Sequence, residues 1–262
     1  MKKLSLFFLL VLGASVLQAQ VRIIGHRGAS ADAPENTVAS ATKAWEQGAD
    51  AVEVDVYLTA DKKVMVIHDG NTRRTSGRSF DVLKSSSDTL RLLEVGSYKA
   101  EEFRGEKIPF LEEVIATVPE GKQLVIEIKS DEKILPYLKE VVEKSGKKKQ
   151  MVFICFNLTT IVEARTYFPK NECYWLCAFK GKAKKNMVKV ARAGLNGVNL
   201  RGAIVDEKIM EKAAKYKLDV LAWTIDEPED AKALIGLGVK AITTNKPGWM
   251  RAELAGELIT TE

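Results

Sequence analysis

Histidine and cysteine are scarce in this chain: its 262 residues include two histidines and three cysteines. No zinc-ligand spacing occurs among them, which argues against a structural zinc site. The odd number of cysteines leaves at least one thiol unpaired. Cys173 and Cys177 on one strand would stand roughly 13 Å apart at ~3.3 Å per residue, too far for a disulfide. All three cysteines read as small buried strand residues. Charge of one sign is also lacking, with 40 basic against 35 acidic residues and a net +5. Such a balance gives no field suited to nucleic acid. The lysine runs at 147–149 and 180–185 read as solvated surface. Beyond the N-terminus no apolar stretch is long enough for a membrane helix, and there is no low-complexity tract. Hydrophobic residues make up 46% of the chain, enough to bury the core of one barrel-sized domain.

The N-terminus is different. Lys2 and Lys3 precede an apolar stretch from Leu4 to Leu12, and small residues lead to Ala19. This is the layout of a secretory signal peptide, too short to span a bilayer. Residues 1–19 are therefore expected to be removed, leaving a single domain over 20–262. Loss of the two lysines lowers the net charge from +5 to +3. With no cysteine near the cleavage point, a lipid-modified N-terminus is not expected. The mature protein is expected to be exported and soluble: periplasmic if the host is a Gram-negative bacterium, otherwise secreted.

Nine β-rich apolar runs follow, at 21–25, 51–58, 64–68, 124–128, 152–156, 173–177, 197–200, 220–224 and 241–243. Helical patterns separate most of them, at 37–47, 111–118, 134–144, 158–167, 184–193, 206–216 and 229–237. Alternation of strand and helix, with strands apolar on both faces, predicts a parallel α/β fold. The expected form is a distorted (β/α)8 TIM barrel. The surplus ninth run is explained between Val56 and Val64, where too few residues intervene for a crossover helix. An antiparallel hairpin across 51–68, turning at Ala60 to Lys63, would pair Thr59 with Val64 and Asp55 with His68. Residues 70–108 lack a convincing repeat pattern beyond some helix around Ser87 to Val95. This insertion reads either as a substrate-selecting lid or as an excursion packed on the barrel rim.

Both histidines close β-branched or apolar runs: His26 in Gly25-His26-Arg27-Gly28, and His68 after Val64-Met65-Val66-Ile67. Between them, Val52-Glu53-Val54-Asp55-Val56 places two carboxylates on one face of a strand, with the valines on the other. A third acid, Glu127, ends another run and is followed two residues later by Lys129. Barrel enzymes react at the C-terminal ends of their strands. Three convergent carboxylates without clustered Cys or His suit a hard cation, Mg2+ or Ca2+. Two histidines beside them suggest acid/base chemistry, since imidazole takes and gives protons near neutral pH. Arg27 and Lys129 are candidate phosphate partners, although Arg27 could instead pair with Glu35.

The ordered set Gly25-His26-Arg27-Gly28, Ala33-Pro34-Glu35-Asn36-Thr37, Glu53-Val54-Asp55, His68-Asp69 and Glu127-Ile128-Lys129 resembles the glycerophosphodiester phosphodiesterase family. Looser matches follow at Ile108 to Glu113, Phe153 to Phe156, Trp223 to Asp226 and Thr243 to Pro247, so the resemblance spans about residues 22–248. It implies hydrolysis of glycerophosphodiesters to glycerol 3-phosphate and an alcohol, with one divalent cation. By motif, Glu53, Asp55 and Glu127 would be metal ligands, and His26 and His68 the acid/base pair. The substrate's own glycerol hydroxyl would attack phosphorus to give a cyclic phosphate, which water then opens. Trp223 would wall the glycerol carbons, or serve only as core; Phe156 has weaker support. Glu35 reads as orienting Arg27 or favouring a helix N-terminus, outside the metal set.

Three positions depart from the family pattern: Cys155 where serine is common, Asp226 where asparagine is common, and Asn245 where aspartate is usual. None removes a proposed ligand or base, but they bear on which head group fits. Two other functions compete: a phospholipase-type lipid phosphodiesterase of the same barrel superfamily, and a non-catalytic glycerophosphodiester-binding protein. The expected partner is a small-molecule substrate, with neither nucleic acid nor stable membrane insertion.

Overall fold

The computed structural model describes residues 21–260, so the leader read at residues 1–19 lies outside the described residues. Among the described residues nine strands run in chain order: β1 (Arg22–His26), β2 (Ala51–Leu58), β3 (Val64–Val66), β4 (Gln123–Ile128), β5 (Met151–Cys155), β6 (Glu172–Cys177), β7 (Gly197–Arg201), β8 (Asp219–Trp223) and β9 (Ala241–Thr244). The α-helices are α1 (Val38–Glu46), α2 (Arg73–Ser76), α3 (Ser87–Arg91), α4 (Leu111–Thr117), α5 (Leu135–Lys144), α6 (Leu158–Tyr167), α7 (Lys180–Arg192), α8 (Glu207–Lys215), α9 (Pro228–Gly236) and α10 (Pro247–Thr260). Neighbouring strands follow the order β1-β9-β8-β7-β6-β5-β4-β2, and β1 also pairs with β2, so eight parallel strands close into a barrel. The ninth, β3, lies outside, antiparallel to β2. This is the distorted (β/α)8 barrel with a hairpin strand that the alternating pattern predicts.

The pleat separates two cores. Val52, Val54 and Val56 of β2 point outward into the layer shared with Ala41 and Ala44 of α1 and Leu111 and Val114 of α4. Each of these valines is at most 1% exposed and contributes about 1.5–3 kcal/mol by leaving water. Ala51 points inward, with Ile24, Val125, Ile154, Tyr174 and Leu221. The period of two therefore carries Glu53 and Asp55 inward above Ala51, and Glu127 inward above Val125. At the opposite end of the barrel Arg22 bonds Gln123 at 2.6 Å and Glu172 at 3.1 Å, and the Tyr174 hydroxyl donates to Glu172 at 2.6 Å. That polar layer closes the floor, leaving the strand ends as the mouth.

The hairpin register differs from expectation by one residue. Leu58 pairs with Val64 and Val56 with Val66, and the Ile67 amide donates to the Asp55 carbonyl at 3.0 Å. Asp55 thus faces Ile67 rather than His68. The cause is the turn: the Lys62 amide bonds the Thr59 carbonyl at 3.0 Å and the Thr59 amide bonds the Lys63 carbonyl at 2.9 Å, while Lys62 adopts φ 65°. That is a three-residue loop closed by a left-handed residue, not the expected four-residue turn.

The 70–108 insertion folds around its own small core. Met65, Ile67, Val82, Leu90, Leu93, Val95 and Ile108 pack together, with Tyr57, Phe80 and Phe110 against them. The expected helix is present but short, as α3. One other helical expectation shifts. The buried stripe of α7 starts at Ala183 and continues through Met187 and Val190, so the helix begins at Lys180 rather than Lys184. Beyond the expected helices lies α10, which opens on Pro247, a residue suited to the first helical turn. Among the described residues no helix is long and apolar enough to cross a membrane.

Candidate active site

β1 ends at His26, and the chain then bends sharply. Arg27 has φ 55°, Gly28 φ 85° and Asn36 φ 58°. A side chain at Gly28 would place Cβ 2.0 Å from Ser40 Oγ and 2.5 Å from the Ser40 carbonyl carbon, so only glycine lets α1 approach the strand. Thr37 caps α1: its hydroxyl accepts from the Ser40 amide at 3.1 Å and donates to the Pro34 carbonyl at 2.7 Å. The bend has two results. The Arg27 amide is aimed at Glu53 Oε2, 2.9 Å away, and Asn36 is aimed at Asp55. Asn36 Nδ2 donates to Asp55 Oδ2 at 2.8 Å, and its Oδ1 accepts from the Asp55 amide at 3.1 Å. A left-handed non-glycine residue costs about 1–2 kcal/mol, and here that strain is stored beside the polar cluster.

Strand register brings the acids together. His26 lies level with Glu53 and Asp55 with Glu127, and the three carboxylates each offer an oxygen within 4.8 Å of the others. All three are buried. Burial and repulsion from Asp55 and Glu127 push Glu53 well above the usual carboxylate range. Burial, followed by the nearby Asp55, raises Glu127 to about 7. Burial would also raise Asp55, but Lys129, His68, Arg27 and the Asn36 hydrogen bond outweigh it and hold Asp55 low. Lys129 Nζ lies 3.0 Å from Glu127 Oε1 and 3.4 Å from Asp55 Oδ1. Even so, among the described residues Glu53 Oε1 and Asp55 Oδ1 are buried with no hydrogen-bond partner. Unsatisfied buried acceptors in an all-oxygen cluster of crowded carboxylates fit a hard cation.

His26 Nδ1 lies 2.8 Å from Asn245 Oδ1. Burial and the neighbouring Arg27 hold the His26 imidazole below its ordinary value. His68, beyond the end of β3, places Nδ1 2.6 Å from Asp69 Oδ1, and Asp69 Oδ2 accepts from Arg74 Nε at 2.7 Å. Despite the register difference, His68 remains within electrostatic range of both Asp55 and His26.

The structure pairs Arg27 with carboxylates: Nη1 bonds Glu35 Oε1 at 2.9 Å while Nε sits 3.5 Å from Asp55 Oδ2. Glu35 belongs to this guanidinium pair rather than to the carboxylate cluster. Arg74 clamps it through two bonds of 2.7 Å, and the Glu35 amide donates to the Tyr98 hydroxyl at 3.1 Å. The insertion thus also reaches the mouth. Trp223 packs on the inner barrel core, donates from Nε1 to the Asn199 carbonyl at 3.2 Å, and meets the exposed Phe156 edge-on with centroids 5.5 Å apart. The three cysteines are free and buried, and burial pushes the Cys155 thiol up to about 12. Asn36, Arg74 and Tyr98 lie outside the site residues expected from sequence. Asn36 lies inside the motif Ala33-Pro34-Glu35-Asn36-Thr37, the one sequence signal for its role; nothing in the sequence marks Arg74 or Tyr98.

A closed parallel barrel with a buried carboxylate cluster and His26 at the strand ends places the chain among the (β/α)8-barrel enzymes. A family model described as the glycerophosphoryl diester phosphodiesterase family matches residues 26–249, and the chain belongs to that family of phosphodiesterases. It is 32% identical over 235 residues to YhdW of Bacillus subtilis, covering 87% of this chain and 96% of that protein. It is 31% identical over 232 residues to a glycerophosphodiester phosphodiesterase of Caldanaerobacter subterraneus subsp. tengcongensis, covering 86% and 94%. A phosphodiesterase from Oleispira antarctica, solved with its product sn-glycerol-3-phosphate, superposes with TM-score 0.81 at 26% identity, covering 89% of this chain and 96% of the other.

Proposed function

We propose that this enzyme hydrolyses soluble glycerophosphodiesters to glycerol 3-phosphate and an alcohol, using a divalent cation, Mg2+ or Ca2+, and the pair His26 and His68. The observation that supports this reading best is the crowded carboxylate cluster with two unsatisfied oxygens, Glu53 Oε1 and Asp55 Oδ1, between two histidines. Glu53, Asp55 and Glu127 would hold the cation. When bound, it supplies charge neutralisation at the phosphodiester and stabilises charge that builds in the transition state.

The chain's own groups do the rest. One histidine takes the proton of the glycerol hydroxyl as its oxygen forms a bond to phosphorus. The bond from phosphorus to the alcohol oxygen breaks, and the second histidine protonates the departing alkoxide. The product is a cyclic phosphate. In the second step the roles reverse: water loses its proton to the second histidine as its oxygen bonds phosphorus, the bond from phosphorus to the ring oxygen that had attacked breaks, and that oxygen regains its proton from the first histidine. Arg27 and Lys129 bind the phosphate oxygens, Arg27 as a fork and Lys129 as a point charge, while Trp223 walls the glycerol carbons.

The test is release of glycerol 3-phosphate from a panel of glycerophosphodiesters, with and without chelator, beside His26→Ala and Glu53→Ala. Chelator-sensitive turnover lost in both variants supports the reading. Absence of turnover by the folded protein with either cation sinks it, and release from lipid vesicles in preference to glycerophosphocholine transfers it to the phospholipase class. Residues 1–19 are proposed to direct export, to the periplasm in a Gram-negative host and to the medium otherwise. N-terminal sequencing of the protein recovered outside the cytoplasm should begin at Gln20; an intact Met1 on cytosolic protein contradicts export.

A further inference from the structure

Two residues after strands β8 and β9 form a polar chain behind His26. Asn245 Nδ2 donates to Asp226 Oδ2 at 2.6 Å, the Asn245 amide donates to Asp226 Oδ1 at 2.8 Å, and the Thr244 hydroxyl donates to the same oxygen at 2.9 Å. On the other side, Asn245 Oδ1 meets His26 Nδ1 at 2.8 Å and accepts from the Ser30 hydroxyl at 2.8 Å. We infer that Asp226, acting through Asn245, is a positioning residue that holds neutral His26 in the Nδ1–H tautomer and so leaves its Nε2 lone pair for proton transfer.

Donor and acceptor rules fix each link. A carboxylate only accepts, so the end of the Asn245 amide that faces Asp226 must be the NH2 group. An amide cannot present that group to both neighbours, which turns Oδ1 toward the imidazole. An amide oxygen only accepts, so His26 Nδ1 must carry the hydrogen; the orientation follows from the network rather than from the shape of the amide. The neutral ring then has its lone pair on Nε2. His68 reaches the same state by a shorter route, with Nδ1 directly on the Asp69 carboxylate at 2.6 Å. It therefore serves as an internal control.

Asp226→Asn makes a sharp prediction. The side-chain oxygen must stay on the fixed Asn245 amide and the Thr244 hydroxyl, so the new NH2 group faces Asn245 Nδ2. Two donors then oppose each other, Asn245 turns over, and its NH2 group meets His26 Nδ1. The neutral imidazole must move its hydrogen to Nε2. The reciprocal variant D226N/N245D restores the order of donors and acceptors, because the carboxylate then at position 245 accepts both from His26 and from the NH2 group introduced at position 226.

Nitrogen NMR of the full chain, labelled at its two histidines and measured near pH 8 in buffer with Mg2+ and Ca2+, reads both rings separately. Expected is a protonated Nδ1 on His26 in the parent, a protonated Nε2 in D226N, and return to Nδ1 in D226N/N245D, with His68 unchanged throughout. The kinetic consequence rests on the acid/base role proposed above. There, kcat of D226N falls on the order of 10²- to 10⁴-fold, the usual worth of general acid–base catalysis, and the reciprocal variant recovers to within about tenfold of the parent. Retention of Nδ1–H in D226N, or failure of the reciprocal variant to restore it, overturns the inference. A parent enzyme without turnover refutes the proposed reaction but leaves the tautomer result readable.

Discussion

Glu127→Gln separates the electrostatic cost of the acid cluster from its use. Glu127 is held protonated up to about 7 in the folded chain, against an ordinary 4.5, chiefly by burial and then by Asp55. The folded state therefore keeps a proton that the unfolded chain releases, and stability falls as pH rises from about 4.5 to about 7, then levels. One pH unit of such a difference corresponds to about 1.4 kcal/mol, so this carboxyl costs the cation-free protein about 3 kcal/mol above pH 7. Between pH 5 and pH 8 the expected loss is about 2–3 kcal/mol, which for a domain of this size lowers Tm by about 5–10 °C. Glutamine has the same shape and no charge. In chelator, E127Q should therefore lose that much less stability than the parent between pH 5 and pH 8, measured by calorimetry. With saturating Mg2+ or Ca2+ the order inverts: the parent gains stability with rising pH as the carboxylates are freed for the cation, and E127Q gains little. Parallel pH dependence in chelator, or equal stabilisation of both proteins by cation, would refute this account of the cluster.

Other perturbations test neighbouring parts of the site. Asn36→Ala strips two hydrogen bonds from the buried Asp55; the expected cost is about 1–3 kcal/mol in denaturant unfolding and about 10–100-fold in cation affinity by calorimetric titration, and no change in either would remove Asn36 from the site. Gly28→Ala drives Cβ into the Ser40 side chain and backbone at positive φ, so a loss of about 3 kcal/mol or failure to accumulate soluble protein is expected; a urea midpoint equal to the parent's would contradict the close approach. Arg74→Ala frees Glu35 on a half-exposed rim, so the unfolding free energy should change by less than about 1 kcal/mol while KM rises several-fold as Arg27 loses its ordered partner. A large fall in Tm with unchanged KM would make Arg74 structural instead.

The sequence-readable features are those written in a short local period. Val52-Glu53-Val54-Asp55-Val56 alternates, so the inward set follows from the pleat alone, and the structure places its valines in the helical layer and its acids inside. Glu127 follows by the same rule on a parallel neighbour. The hairpin register was not legible, because it turns on one residue, Lys62, taking a left-handed conformation that lysine does not advertise as glycine or asparagine would. A slip of one residue reverses faces, yet His68 still comes near Asp55 because it lies beyond the paired strand, where the pleat no longer dictates direction. The partners of His26 and Glu35 were hidden for a different reason. Asn245 lies 219 residues from His26, and Arg74 lies 39 from Glu35; barrel closure makes the first contact and the insertion's own small core makes the second. Asp226 and Asn245 were visible in the sequence only as two separate departures from a family pattern, in segments that follow different strands. Their 2.6 Å contact makes them one feature: the carboxylate stands one residue farther from His26, with an amide between them to transmit its orientation.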